Sequence, residues 1–291
     1  MGWFVKTIGF PRRICAYMVG LPRLRCGEMV KKVVELLENG FRVLVVMIEL
    51  LSFGRGNAKL DKDIHTFSLP SGWTCPFAEQ CLAKVNRGGG QLVDGKNAVF
   101  RCFSASQENL FPNVRISRWH NFDLLVGAKD CMYELIDLSL SRKATKVRIH
   151  VAGDFYSQEY FDAWLRVAKE RPNCIFYAYT KSLLYWVNRL NEIPANFRLT
   201  ASYGGKHDHL IKQYNLRSAI VVYSEQEAID MGLDIDHDDS HAYGTGGDFA
   251  LLIHGKQPKG SKASKAMSEL RKVGITGYDH KKHGRKGLTV T

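Results

Sequence analysis

Three cysteines, Cys75, Cys81 and Cys102, fall in one polar, turn-rich stretch from Thr74 to Ala105. It opens T-C-P-F-A-E-Q-C and closes R-C-F-S-A. A thiolate is a soft, anionic donor, the usual ligand of iron–sulfur clusters and a common ligand of structural zinc. The spacing Cys-x5-Cys-x20-Cys matches neither the paired knuckles of a zinc finger nor the close run of a bacterial ferredoxin. Three cysteines leave one iron of a cubane to a distant protein ligand, a solvent molecule or a small-molecule substrate. The plain alternative is three separate, partly buried free thiols. Cys15, Cys26, Cys131 and Cys174 fit that alternative better.

A second group of polar residues stands where apolar runs end. His150, Asp154 and Tyr156 lie at or after the end of Val147–Val151; Tyr179, Thr180 and Lys181 end the next run, and Ser202 and Tyr203 the one after. In parallel α/β proteins, function collects at the carboxyl ends of strands. His150 is a candidate acid/base, cluster ligand or hydrogen-bond donor to a cluster sulfide. Asp154 is a candidate to orient it, and Lys181 to bind an anionic group. Tyr179, Thr180 and Ser202 complete the expected mouth as cofactor-binding residues. Individually these residues also read as a core histidine, a helix cap and a solvated lysine. Asp236-His237-Asp238-Asp239-Ser240-His241 is either a divalent-metal site, a source of the missing cluster ligand, or a solvated acidic turn.

These residues need a scaffold, and the chain supplies a rhythm. From Lys146 onward, strand runs at Val147–Val151, Ile175–Tyr179, Phe197–Ser202, Ala219–Tyr223 and Phe249–Ile253 alternate with helical stretches. The helical stretches are Ser157–Glu170, Ser182–Leu190, His207–Tyr214 and Glu225–Met231. That alternation predicts an α/β fold: mainly parallel strand–helix repeats forming a closed or partial TIM-like barrel. Upstream, the periodicity predicts strands at Phe41–Leu51 and Ile64–Leu69, and helices at Glu28–Glu38, Val114–Leu125 and Lys129–Arg142. Gly88-Gly89-Gly90 and Asp94-Gly95 predict a flexible insert between Cys81 and Cys102. Residues 1–46 read as a poorly defined arm, irregular through Gly27; 47–258 as one α/β domain; 259–291 as a basic tail with an exposed helix at Ser261–Val273.

The bulk numbers are those of a globular protein: 291 residues, 45% hydrophobic and 24% charged. The net charge of +12 suits an anionic partner, and His280–Lys286 makes nucleic acid a candidate through the tail. Seven unevenly spaced cysteines argue against a secreted disulfide framework and for reduced thiols in a cytoplasm-like compartment. No apolar run is long enough for a membrane span, and the basic start lacks the layout of a signal peptide.

L-L-S-F-G-R-G-N-A-K-L, the cysteine blocks, R-I-H-V-A-G-D-F-Y-S, F-Y-A-Y-T-K-S and D-F-A-L-L-I-H-G-K-Q-P occur in an order that resembles the bacteriophage gene product eighty-eight family. The resemblance runs over about Leu50–Pro258. It implies a phage protein acting in the host cytoplasm, with Cys75, Cys81 and Cys102 on the family's C-P-x-A-x-x-C-x3-C-Y-A-like cluster; here the second gap is lengthened and Cys102-Phe103-Ser104-Ala105 replaces C-Y-A. The expectation is an iron–sulfur cluster of the 4Fe-4S type with a redox or electron-transfer role, served by a redox partner or small-molecule ligand. A weaker similarity, a three-cysteine cluster ahead of a strand–helix barrel, implies a radical S-adenosylmethionine-type enzyme, although the C-x3-C-x2-C motif is absent. A nucleic-acid-binding protein with structural zinc is the other alternative.

Overall fold

The computed structural model describes residues 49–57 and 59–275, together with the backbone of 13–18, 30–38 and 41–48. The tail at 280–286 and Cys26 lie outside the described residues. The chain begins with β1 (Arg13–Met18), β2 (Val30–Glu38) and β3 (Phe41–Glu49), a three-stranded antiparallel sheet with β3 in the middle. Two expectations are corrected here. Arg13–Met18 is a strand within the stretch expected to be irregular, and Val30–Glu38 is a strand rather than a helix. Val30, Val33, Val34 and Leu37 do fall at helical spacing. Pairing with β3, from Val30↔Ile48 to Glu38↔Phe41, overrides that local preference, and Asn39-Gly40 is the sequence signal of a hairpin turn.

The main body is a seven-stranded sheet. Its first strands are β4 (Gly54–Arg55) and β5 (Ile64–Ser68). A long crossover follows, carrying the hairpin β6 (Ala83–Val85) and β7 (Leu92–Asp94) and the helices α1 (Ala105–Leu110), α2 (Pro112–Gly127) and α3 (Met132–Ser139). Then come β8 (Lys146–Ala152), α4 (Gln158–Glu170), β9 (Ile175–Thr180), α5 (Leu183–Val187), β10 (Phe197–Ser202) and α6 (His209–Gln213). The last elements are β11 (Ser218–Val222), α7 (Glu225–Asp230), α8 (Ser240–Tyr243), β12 (Phe249–Leu252) and α9 (Lys262–Lys272).

The strand order is β12-β11-β10-β9-β8-β5-β4, parallel throughout except for the antiparallel edge strand β4. The expected α/β class and mainly parallel sheet are therefore present. Barrel closure is not: no pairing joins β12 to β4 among the described residues. Side chains cross the gap instead. Lys59, between β4 and β5, reaches Asp239, between β11 and β12, at 2.6 Å.

Period-two alternation explains the two faces of the sheet. Val147 and Ile149, Phe176 and Ala178, and Leu199 and Ala201 face the helices in the largest core cluster. Arg148, Tyr177 and Tyr179 point to the opposite, inward side. Ser157 caps α4, its hydroxyl accepting from the Tyr160 N–H at 3.2 Å. Tyr160, Phe161 and Trp164 of α4 are completely buried, each worth about 1.5–3 kcal/mol of apolar burial. α9 was expected to be exposed, yet it buries Ala263, Met267 and Leu270 against Val222 and Leu252. No helix among the described residues is long and apolar enough to cross a membrane.

Candidate functional site

The segment with Cys75 and Cys81 lies across the carboxyl ends of β8 to β10. The Glu79 and Gln80 N–H groups both donate to Gly204 O, at 3.2 and 3.0 Å, and Lys206 N–H donates to Phe77 O at 2.9 Å. Backbone hydrogen bonds thus fix this loop to the chain just beyond β10. The expected flexible insert is the β6–β7 hairpin, with Ala83 opposite Asp94. It returns the chain to its origin, because Val99 and Phe100 N–H both donate to Gln80 O, at 2.8 and 3.2 Å. Twenty intervening residues therefore do not separate Cys102 from Cys81.

Cys102 is held from the other side. Gln257 accepts from Arg101 N–H at 2.7 Å and donates back to Arg101 O at 3.2 Å. Below it, Glu108 and Arg118 form a buried ion pair at 2.8 Å that also accepts from Ser71 N–H, at 2.9 Å, and donates to Ser104 O, at 3.0 Å.

All three thiols line one cavity of about 450 Å³. Six residues of the predicted mouth line the same cavity, His150, Asp154, Tyr179, Thr180, Lys181 and Ser202; Tyr156 and Tyr203 do not. Burial pushes the Cys75 thiol well up, with Asp154 and the other two thiols adding to it. Burial likewise raises Cys81 to about 11, against the pull of Lys181. A low-dielectric wall disfavours three thiolates unless positive charge joins them, and a metal supplies that charge. The residue types therefore fit a cluster bound through Cys75, Cys81 and Cys102. Among the described residues, no three His, Cys, Asp or Glu side chains gather tightly enough to hold a single metal ion.

Cys174 is buried and reduced, outside this cavity. Cys131 is disulfide-bonded, against the expectation of uniformly reduced thiols.

His150 and Asp154 do not pair, contrary to expectation. His150 Nε2 lies 3.0 Å from the Tyr160 hydroxyl, and its Nδ1 has no partner among the described residues. Burial holds its pKa down to about 3, so the imidazole is neutral at pH 7. Its backbone is left-handed, φ 65°, where β8 bulges against β5 between Arg148 and Ala152. Such a conformation is costly for a residue other than glycine and gathers at functional sites.

Asp154 instead ties two strand ends together. It accepts from Phe155 N–H at 2.8 Å, Thr180 Oγ1 at 2.6 Å and Lys181 N–H at 2.8 Å. Burial raises its pKa to about 6 despite these donors. Lys181 is buried rather than solvated, donating to Ser202 O, Ser202 Oγ and Tyr203 O at 2.6–3.1 Å.

Gly153 sits where β8 meets the cysteine loop, with φ 85°. A Cβ there would lie 2.6 Å from Thr74 Oγ1 and 2.7 Å from Leu69 Cβ. Gly153→Ala is therefore expected to destabilise by about 1–3 kcal/mol and to displace the loop that carries Cys75. Urea unfolding checks the first effect and metal uptake the second; an unchanged midpoint would contradict the close packing.

The acidic cluster is not part of the cavity lining. Asp236 and Asp239 are fully buried and already engaged. Asp239 binds Lys59 and Arg148, each at 2.6 Å, and accepts from the hydroxyls of Tyr177 and Tyr179, each at 3.2 Å. Asp236 accepts from Tyr179 at 2.9 Å and pairs with His241 Nδ1 at 3.6 Å. Neither reading of these residues as a divalent-metal site nor as the fourth cluster ligand fits carboxylates so occupied.

Burial would raise the Asp236 pKa, but His241, Lys59 and Tyr179 outweigh it and hold it to about 2. Asp236 in turn raises that of His241 against burial. The His241 contribution is full below its unfolded pKa, about 6.5, and the Asp236 contribution is full above its own, about 3.9. Stability from the pair is lost as pH rises through the folded pKa of His241. His241→Gln should lower the urea midpoint at about pH 5.5 and much less at about pH 8.5; an equal loss at both would discount the pair.

The cavity also contains residues that the sequence reading missed: Lys59, Arg148 and His254. A signal was available for two of them. Arg148 interrupts V-R-I-H-V, and His254 ends L-L-I-H as His150 ends R-I-H.

The Gene product 88 family model matches residues 50–271. The "Gene 88 protein" of Mycobacterium phage L5 is 31% identical over 129 residues, covering 40% of this chain and 47% of the relative. That of Mycobacterium phage D29 is 30% identical over 129 residues, with the same coverage. The matched region spans about half the length of these relatives. No solved structure matches. The family match takes in the cysteine loop, the whole seven-stranded sheet and nearly all of α9, so this chain belongs to the Gene product 88 family.

Proposed function

We propose that this protein carries an iron–sulfur cluster of the 4Fe-4S type on Cys75, Cys81 and Cys102 and acts in electron transfer or redox chemistry. The observation behind this reading is that three thiols of one stretch line a single cavity at the carboxyl ends of parallel strands. Bound there, a cluster would supply one-electron transfer. The chain's own residues bury the thiols, keep a neutral His150 in the wall and hold Lys181 beside Cys81. Three cysteines leave one iron for a further ligand, from the cavity or from solution. The test is iron, acid-labile sulfide and zinc measured on one anaerobically purified sample, with its electron paramagnetic resonance spectrum. Matching iron and sulfide supports the cluster; neither metal nor sulfide after reconstitution sinks it.

A second reading, a radical S-adenosylmethionine-type enzyme, draws on one further observation. The cavity lined by the thiols is lined also by Tyr179, Arg148 and Lys59, polar groups that a cofactor or substrate beside an open iron could use. It predicts that S-adenosylmethionine alters the cluster's spectrum. An unaltered spectrum leaves the electron-transfer reading alone.

A further inference from the structure

We propose that the cavity binds a small molecule through its carboxylate or phosphate group, held by Lys59 and Arg148. The placement of the rest of that ligand against the thiols rests on the metal-centre reading above; the anion site itself does not.

Asp154 and Lys181 act on the thiols, whereas Lys59 and Arg148 act on His254. Burial first, then these two cations, hold the His254 pKa down to about 3, the mark of a positive local potential. His254 packs against Phe103, with ring centroids 3.7 Å apart and ring planes tilted by 38°.

The two cations are preorganised. Asp239 holds Lys59 with one oxygen and Arg148 with the other, and it is fully buried beneath them. The side chains of Lys59 and Arg148 line the cavity; Asp239 does not. The guanidinium also lies over the Tyr179 ring, 5.1 Å from its centroid. Arginine and lysine side by side in a low-dielectric wall are suited to a carboxylate or phosphate. A volume of about 450 Å³ is that of a small-molecule pocket.

The experiment uses the full chain twice, metal-free and anaerobically reconstituted, with iron and sulfide measured on each sample. Inorganic phosphate and malonate are titrated at constant ionic strength against chloride. Binding is read as a rise in unfolding temperature and, for phosphate, as phosphorus-31 line width. Saturable binding of one anion is expected and names the group. Lys59→Gln and Arg148→Gln should each weaken it by about tenfold or more, while Lys272→Gln, on the exposed side of α9, leaves it unchanged. If Lys59→Gln does not fold, Lys59→Met/Asp239→Asn removes the cation with its carboxylate and carries the same expectation.

No saturable binding of either anion overturns the proposal, as does binding unchanged in the cavity variants. Binding by the metal-free protein with no iron uptake on reconstitution overturns the metal centre and supports the anion site. Iron uptake without anion binding does the reverse.

Discussion

If the proposed cluster is bound, serine in place of Cys75, Cys81 or Cys102 is expected to reduce bound iron from about four atoms per chain to less than about one. Each substitution is nearly isosteric, so the walls of the cavity keep their shape. What changes is the donor: an alcohol stays protonated and is a poor, hard ligand for iron. Two remaining thiolates cannot hold a cubane in a wall where burial already opposes their ionisation. Cys174→Ser is the control, because that thiol is buried behind the sheet and outside the cavity. Its variant keeps the iron and sulfide of the parent. Metal analysis and the electron paramagnetic resonance spectrum of the four variants, reconstituted side by side, decide the matter. Iron retained in all three cavity variants would return the cysteines to ordinary buried thiols.

Six strands of the main sheet were legible because each is a short apolar run with a polar end; β4, only Gly54–Arg55, has no apolar run to read. β10 coincides with the expected Phe197–Ser202, and β8, β9, β11 and β12 fall within about a residue of expectation. The mouth was legible for the same reason, since strand ends follow once strands are placed. Other features depended on long-range pairing. β2 carries valines at helical spacing and becomes a strand only against β3. β6 and β7 are three residues each, too short to show a period, so a hairpin looked like a loose insert. That hairpin alone explains how Cys102 returns to Cys81. The cation pair of the cavity was missed because its parts are remote: Lys59 precedes β5, Arg148 faces inward from β8, and Asp239, noted only within an acidic stretch, lies ahead of α8. Charged residues in a sequence read as solvated until the strands that bury them are in place.

Asp239→Asn should cost about 3 kcal/mol or more. The carboxylate is completely buried and holds Lys59 and Arg148, whose side chains are only 11% and 16% exposed. Asparagine keeps the shape and tolerates the left-handed backbone at this position, φ 65°, so strain is not what is measured. The loss comes from two cations left in a low-dielectric wall without their shared anion, and from the Tyr177 and Tyr179 hydroxyls that donate to it. Adding Lys59→Met to Asp239→Asn removes one stranded cation and should recover part of the loss, with a coupling of about 1–3 kcal/mol. Urea unfolding of the two single variants and the double variant completes the cycle. A loss below about 1 kcal/mol would mean that water reaches the cluster and screens it. A large loss with clear coupling would mean that the same carboxylate that braces the curled sheet, linking β8 and β9 to the β4–β5 loop, also fixes the cation pair of the cavity.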